Sequence, residues 1–304
     1  MTTMRGELFE EKENKATLLC NHATFAYTGL ADMGVTEKTH ELLLRSLGVH
    51  GSKNFDGVLD ELGRNATRAV RSLVLPGVAR ADRAKVRRTA FVGAGFLEPR
   101  KPDLSGLDPS PDGLQSFICL VSNAQTLAAG WEEEASRDFS VELQFVPQGH
   151  LVLHATGVGL SPDYRRRLVK VVRRCVRRGL SPNSIARLLT RAIRAVSSWN
   201  GAVGGNVMST IVRRADARKR FEGVSGSAIP LVPELFNEAQ FFKLVKDDRS
   251  QWIYCPRDFA DRVHYMPNVA CNGLQMTTGL FGPEGLVAEA QDELGEPNTR
   301  RRRR

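Results

Sequence analysis

Residue types that do chemistry are present in this chain, but few stand at a spacing that chemistry needs. The six histidines (His22, His40, His50, His150, His154, His264) show no metal-ligand spacing. His150 and His154 are four apart, which on an extended strand separates them by about 13 Å, too far to share an ion. The five cysteines (Cys20, Cys119, Cys175, Cys255, Cys271) are scattered, odd in number and form no C-x-x-C pair. Neither a zinc site nor a disulfide framework is indicated, and buried thiols in a reducing cytoplasm are the expectation. Val92-Gly93-Ala94-Gly95-Phe96 lacks the third glycine of a phosphate-binding fingerprint and the helix that must follow it. Gly223-Val224-Ser225-Gly226-Ser227 misses the last glycine of a nucleophile elbow, and no strand immediately precedes it. Asn65-Ala66-Thr67 is an acceptor sequon without the secretory signal that would give it meaning. No metal and no cofactor is expected.

Charge is the other chemical resource. The formal net charge is +9, unevenly placed. Arg300 to Arg304 supply a basic C-terminus, and the stretch Arg165 to Arg178 holds eight basic residues, with Asp163 the one acid beside them. Such a face suits nucleic acid or an acidic partner. No aromatic residue interleaves with the arginines to stack bases, so nucleic acid is disfavoured and a solvated face is the plain reading.

The elements that must position these residues read clearly from His150 to Arg213. Leu151 to Gly157 is an aliphatic and β-branched run, predicting a strand. Ser161-Pro162-Asp163 opens a helix with a capping hydroxyl, a proline at the first helical position and an acid near the positive dipole end. Leu168, Val169, Val172, Cys175 and Val176 form its stripe, and Gly179 stops it. Ser181-Pro182 starts a second helix with the stripe Ile185, Leu188, Leu189, Ala192, Ile193, Val196. Asn206 to Val212 reads as a strand.

The first half repeats this order. Lys15–Cys20 and Ala23–Thr28 are predicted strands about an Asn21-His22 turn, with Gly29 permitting a tight exit. Helices follow over Thr36–Leu47 and, capped by Asn54, along Phe55, Val58, Leu59, Leu62, Ala66, Ala69, Val70, Leu73. Strands are predicted over Arg88–Gly93, Phe117–Val121 and Val141–Phe145, the last turning at Pro147-Gln148-Gly149 into the Leu151 strand. Trp252 lies in one more, Gln251–Cys255. The proline-rich stretch 98–114 reads as a loop insertion, 215–281 as a C-terminal extension, and 282–304 as a disordered tail ending in the arginine run. With 304 residues, 41% of them hydrophobic, the chain suffices for one large domain, taken as 1–281. No apolar run approaches the roughly 18 residues that span a bilayer, and Met1 to Glu7 has no apolar core of a signal peptide. Helix pairs between blocks of antiparallel strands predict an α+β fold, a four-layer αββα sandwich of two antiparallel sheets.

Lys15-Ala16-Thr17-Leu18-Leu19, then Phe25-Ala26-Tyr27-Thr28-Gly29-Leu30-Ala31 leading into a helix pair, resembles the proteasome β-subunit family of N-terminal nucleophile hydrolases. So does Ala155-Thr156-Gly157-Val158-Gly159 leading into the second pair, which closes on Asn200-Gly201-Ala202-Val203-Gly204-Gly205. The similarity runs over about residues 5 to 215 and implies the same αββα sandwich. It also implies amide-bond hydrolysis by an N-terminal threonine whose own amine acts as base, with a lysine matching Lys15. The family has a β-hairpin before the segment matching Thr2 to Lys15. Its two strands and turn would take about 15–20 residues, so the true start lies upstream or the nucleophile strand is missing. Removing Met1 would expose Thr2, in the wrong part of the pattern. Peptide-hydrolysing members carry serine where Val158 and Val203 stand and aspartate where Asn200 stands. Valine neither donates nor accepts a hydrogen bond, so the chain as written is expected to be inactive. The alternatives are a non-catalytic assembly or binding protein on this fold, or a basic nucleic-acid-associated protein. The resemblance implies a homo-oligomer. An acidic protein partner would meet Arg166, Arg173 and Arg177, with Leu168, Val172 and Cys175 buried on the chain's own sheet. A cytoplasmic location and no membrane are expected.

Overall fold

The computed structural model describes residues 15–200 apart from 20–21, 32, 34–37, 49–53, 98–112 and 158–159. It also describes 210–212, 214 and 217, and the strand segments named below outside these ranges. The strands are β1 (Thr2–Met4), β2 (Glu7–Glu10), β3 (Ala16–Leu19), β4 (Ala23–Thr28), β5 (Ala90–Leu97), β6 (Gln115–Ser122), β7 (Ser140–Val146), β8 (Ala239–Lys246), β9 (Arg249–Pro256), β10 (His264–Tyr265), β11 (Asn268–Cys271), β12 (Leu274–Met276) and β13 (Leu280–Phe281). The helices are α1 (Thr39–Gly48), α2 (Phe55–Ser72), α3 (Arg83–Val86), α4 (Pro162–Arg177) and α5 (Pro182–Trp199). The fold is mixed α and β. Strands β3 to β7 form an antiparallel meander, and β12 and β11 extend it beyond β3. β11 runs parallel to β3, with Asn268 opposite Thr17. Thus residues expected as a C-terminal extension complete the main sheet. Strand β9 covers the segment expected around Trp252 and pairs with β8.

One face of the meander builds the core. Strand side chains alternate with period two, so Leu19, Phe25, Tyr27, Phe91, Phe117, Cys119 and Val121 share a face, and α1 and α2 cover it. Phe55 of α2 contacts Phe117 edge-on at 4.7 Å between ring centroids and lies 6.3 Å from Phe25. Each such ring, fully buried, contributes about 1.5–3 kcal/mol. Glycine inside β5 has a packing role: a Cβ on Gly93 would lie 2.6 Å from the Cys119 sulfur. The opposite face also buries Leu18, Ala90, Ile118 and Leu120.

Local chemistry sets the helix ends. The Asn54 side chain accepts from the Gly57 amide at 2.7 Å and caps α2. Thr39 anchors α1 by donating its hydroxyl to the Leu30 carbonyl at 2.7 Å. Ser161 and Ser181 accept from the amides of Tyr164 and Ser184, each followed by proline at the first helical position. Gly179 closes α4 with φ +67°: its amide donates to Val176 and that of Leu180 to Cys175, the paired bonds of a Schellman cap. The Tyr164 hydroxyl at the start of α4 donates to the Ala192 carbonyl late in α5, so the two helices form an antiparallel hairpin.

Of two further expected strands, one does not form and the other is not seen in the part of it that is described. Leu151 to Gly157 belongs to no strand, although the chain does turn at Pro147 and Gly149 has φ +77°. Its backbone is met by a side chain instead of a ladder: the Gln125 amide donates to the Ala155 carbonyl at 2.8 Å. Of the strand expected over Asn206–Val212, residues 210–212 are described and are not in a strand. The loop insertion at 98–114 lies outside the described residues up to 112, as do 282–304. Among the described residues no helix is long and apolar enough to cross a membrane.

Candidate functional site

The end of the sheet where β4 stops and β5 begins gathers the polar residues that the apolar strands exclude. Thr28, Ala90, Ser122 and Ser140 lie in one row across β4 to β7. The Ser122 hydroxyl donates to the Thr89 carbonyl at 3.1 Å. The Asn123 oxygen accepts from the Thr89 amide at 2.8 Å, and its amide group donates to the Arg87 and Ser136 carbonyls. These bonds hold Gln125, only 5% exposed, at the sheet end. Gln125 receives the Thr156 hydroxyl at 2.7 Å on its oxygen while donating to Ala155. Gly157 then lies against Thr28, where a Cβ would come 2.7 Å from the threonine hydroxyl.

Lys15 reaches the same end on the other face. Its carbonyl accepts from the Tyr27 amide at 3.3 Å, and its ammonium lies 5.2 Å from the centre of the Tyr27 ring. That is cation–π range. Tyr27 belongs to the face covered by α1 and α2, whereas Thr28, one residue on, faces the 155–157 segment. The fold brings Lys15 and Thr156 to one end of the sheet and sets them on opposite sides of it. Asn200 is the C-cap of α5, its amide donating to the Val196 carbonyl. Val158 and Val203 lie outside the described residues.

His154 neighbours the Gln125 cluster. Burial holds its imidazole below the ordinary histidine pKa, Arg165 pushes the same way and Glu142 opposes them. The Glu142 carboxylate also accepts from the Leu127 amide at 3.0 Å. Burial pushes the Cys119 thiol far up, so it is a packing group without nucleophilic character. Among the described residues no group of three or more His, Cys, Asp or Glu is placed to hold a metal ion.

A groove of about 810 Å³ runs elsewhere, between α2 and the outer edge of β7. Its arginines are already engaged: Arg64 with Glu61, Arg71 with Asp138, Arg68 with the Asn65 oxygen. Asp60 also lines it, so with Glu61 and Asp138 three carboxylates offset the three guanidinium groups and the groove offers little net charge to a ligand.

Gln125 and Thr28 carry no motif that marks them in sequence. The available signal was the polar run Ser122-Asn123-Ala124-Gln125 directly after the apolar strand Phe117–Val121. The basic helix behaves differently from expectation. Arg166, Arg173 and Arg177 are exposed, but of Leu168, Val172 and Cys175 only Val172 is buried. No protein-family profile, curated protein or solved structure matches the chain.

Proposed function

We propose that this chain is a proteasome-like N-terminal-nucleophile-hydrolase-fold protein that assembles or binds rather than hydrolyses amides. The full αββα sandwich, with a second sheet under α4 and α5, is part of that reading. What supports the fold is the order of elements: an antiparallel meander with a helix pair on one face, then a second helix pair after a polar connection at the sheet end.

One observation carries the loss of catalysis. Lys15, the residue matching the family's lysine, packs its ammonium on the Tyr27 ring, on the face that α1 and α2 cover. Ala155 to Gly157, the start of the resembling stretch in which Val158 stands for the family's orienting serine, docks on the opposite face through Gln125 and Thr28. In the family the lysine and that supporting segment converge on one threonine amine from the same side; here the sheet stands between them. Asn200 cannot supply the charge of an aspartate and serves as a helix cap. The setting is a reducing cytoplasm, where the buried thiol of Cys119 persists as such. The test is fluorogenic peptide hydrolysis by the full chain beside Lys15→Ala. Equal, background-level rates are expected. Turnover that Lys15→Ala abolishes would overturn the reading.

A further inference from the structure

We propose that the outer face of the α4–α5 hairpin binds single-stranded nucleic acid, with its arginines on the phosphates and Trp199 under a base. Residues 161–200 hold eleven cations and one carboxylate, a formal +10 against a whole-chain net charge of +9. The protein's excess charge therefore lies in one small element. Arg166, Lys170, Arg173 and Arg177 recur at helical spacing along α4, all exposed. They form a ridge about 16 Å long with neighbours roughly 5–6 Å apart. Arg167, Arg174 and Arg178 stand exposed beside it, and Arg191 and Arg194 are exposed on α5. Arg166 pairs with Asp163. Among the described residues no carboxylate pairs with Arg167, Lys170, Arg173, Arg174, Arg177, Arg178 or Arg191. A surface so free of acids is built for a polyanion.

The aromatic group that sequence adjacency does not provide is supplied by the fold. Trp199 is 60% exposed, and Tyr164 braces it edge-on at 5.4 Å with an interplanar angle of 88°. Tyr164 immediately precedes Arg165, Arg166 and Arg167, so hairpin closure sets an exposed indole beside the start of the cationic ridge. Cations tracking a backbone next to a rigid aromatic plane are the two parts of a single-strand binding surface. An anionic bilayer would need one continuous apolar stripe. The exposed apolar residues of the helices do not line up: Val171 and Val176 are five positions apart, about 140° around α4, and Ile193 and Trp199 are six apart, about 240° around α5. An acidic protein would use the arginines but leave the exposed indole without a role.

The experiment is fluorescence anisotropy of a labelled oligothymidylate of about 20 nucleotides with the full chain, titrated with salt. Binding should weaken between about 50 and 200 mM salt, with a log–log slope near −3 for four phosphate contacts. Arg166→Glu, Arg173→Glu, Arg177→Glu together should flatten that slope and weaken binding more than about tenfold. Trp199→Ala should weaken binding about five- to a hundredfold at an unchanged slope, and Trp199→Phe should restore most of it. Each variant's urea midpoint checks its fold, and the parent's own titration decides if a variant fails to fold. No binding by the parent at about 50 mM salt, equal competition by polyglutamate, preferential binding to phosphatidylserine vesicles, or indifference to Trp199→Ala would each overturn the proposal.

Discussion

Gly29→Ala isolates what the turn out of β4 demands. Gly29 has φ +102°, and a Cβ there would lie inside contact distance of the Arg88 carbonyl and 2.8 Å from the Thr89 Cα. Two costs therefore stack. The positive φ costs an L-residue about 1–2 kcal/mol. Overlap with backbone, which cannot swing aside as a side chain can, adds about 1–3 kcal/mol. Loss of glycine's freedom in the unfolded chain returns about 0.4–1 kcal/mol. The net expectation is a loss of about 2–4 kcal/mol. Gly179→Ala is the internal control: its φ is +67°, but no atom lies within 4 Å of the new Cβ. It carries the φ cost and the same unfolded-state return without the overlap, so a loss of about 1 kcal/mol or less. The assay is urea unfolding of both variants beside the parent, read as midpoint shifts at constant slope. If Gly29→Ala shifts the midpoint no further than Gly179→Ala, the close approach of β4 to Arg88 and Thr89 is not as described, and the reasoning fails.

Asn54→Ala should cost about 1 kcal/mol by removing the acceptor of the Gly57 amide, while Asn54→Asp keeps an acceptor and adds charge at the positive dipole end; thermal melts of the two should differ in that order. The folded chain holds His154 neutral below the pH at which an unfolded histidine, pKa about 6.5, takes up its proton. The unfolded state then binds more protons, so stability should fall as pH drops from about 7 towards 5. His154→Gln should flatten that part of a stability-against-pH curve, and an unchanged curve would show that His154 is not shielded.

The helix ends were legible because capping is local. Asn54, Ser161-Pro162 and Ser181-Pro182 each act within one turn, and no distant partner can override them. Strands depend on partners. Phe117 to Val121 is buried on both faces wherever it pairs, so its apolar run was sufficient. Leu151 to Gly157 has the composition of a strand, but its Ala155 carbonyl is taken by Gln125, and composition does not report a competing side chain. The side of the sheet on which Lys15 sits was within reach: with period two, Lys15 shares a face with Thr17 and Leu19, and Leu19 is core. The exposed Trp199 beside the arginines was not, because 35 residues separate it from Tyr164 and only the closed hairpin brings the rings together.

The parallel pairing of β11 with β3 has a consequence for the order in which the molecule forms. Thr17 meets Asn268 across about 250 residues of chain. On a ribosome, β3 to β7 and α1–α2 can assemble while the outer edge of β3 still has no neighbour. Closing so distant a contact is slow, because loop entropy is lost before the ladder gives anything back. From the completion of β7 until β11 is made, then, the strand next to Lys15 is a template open to any extended segment, including another nascent copy. A messenger that stalls before Asn268 would release chains whose first half is built and whose sheet is still looking for its last strand.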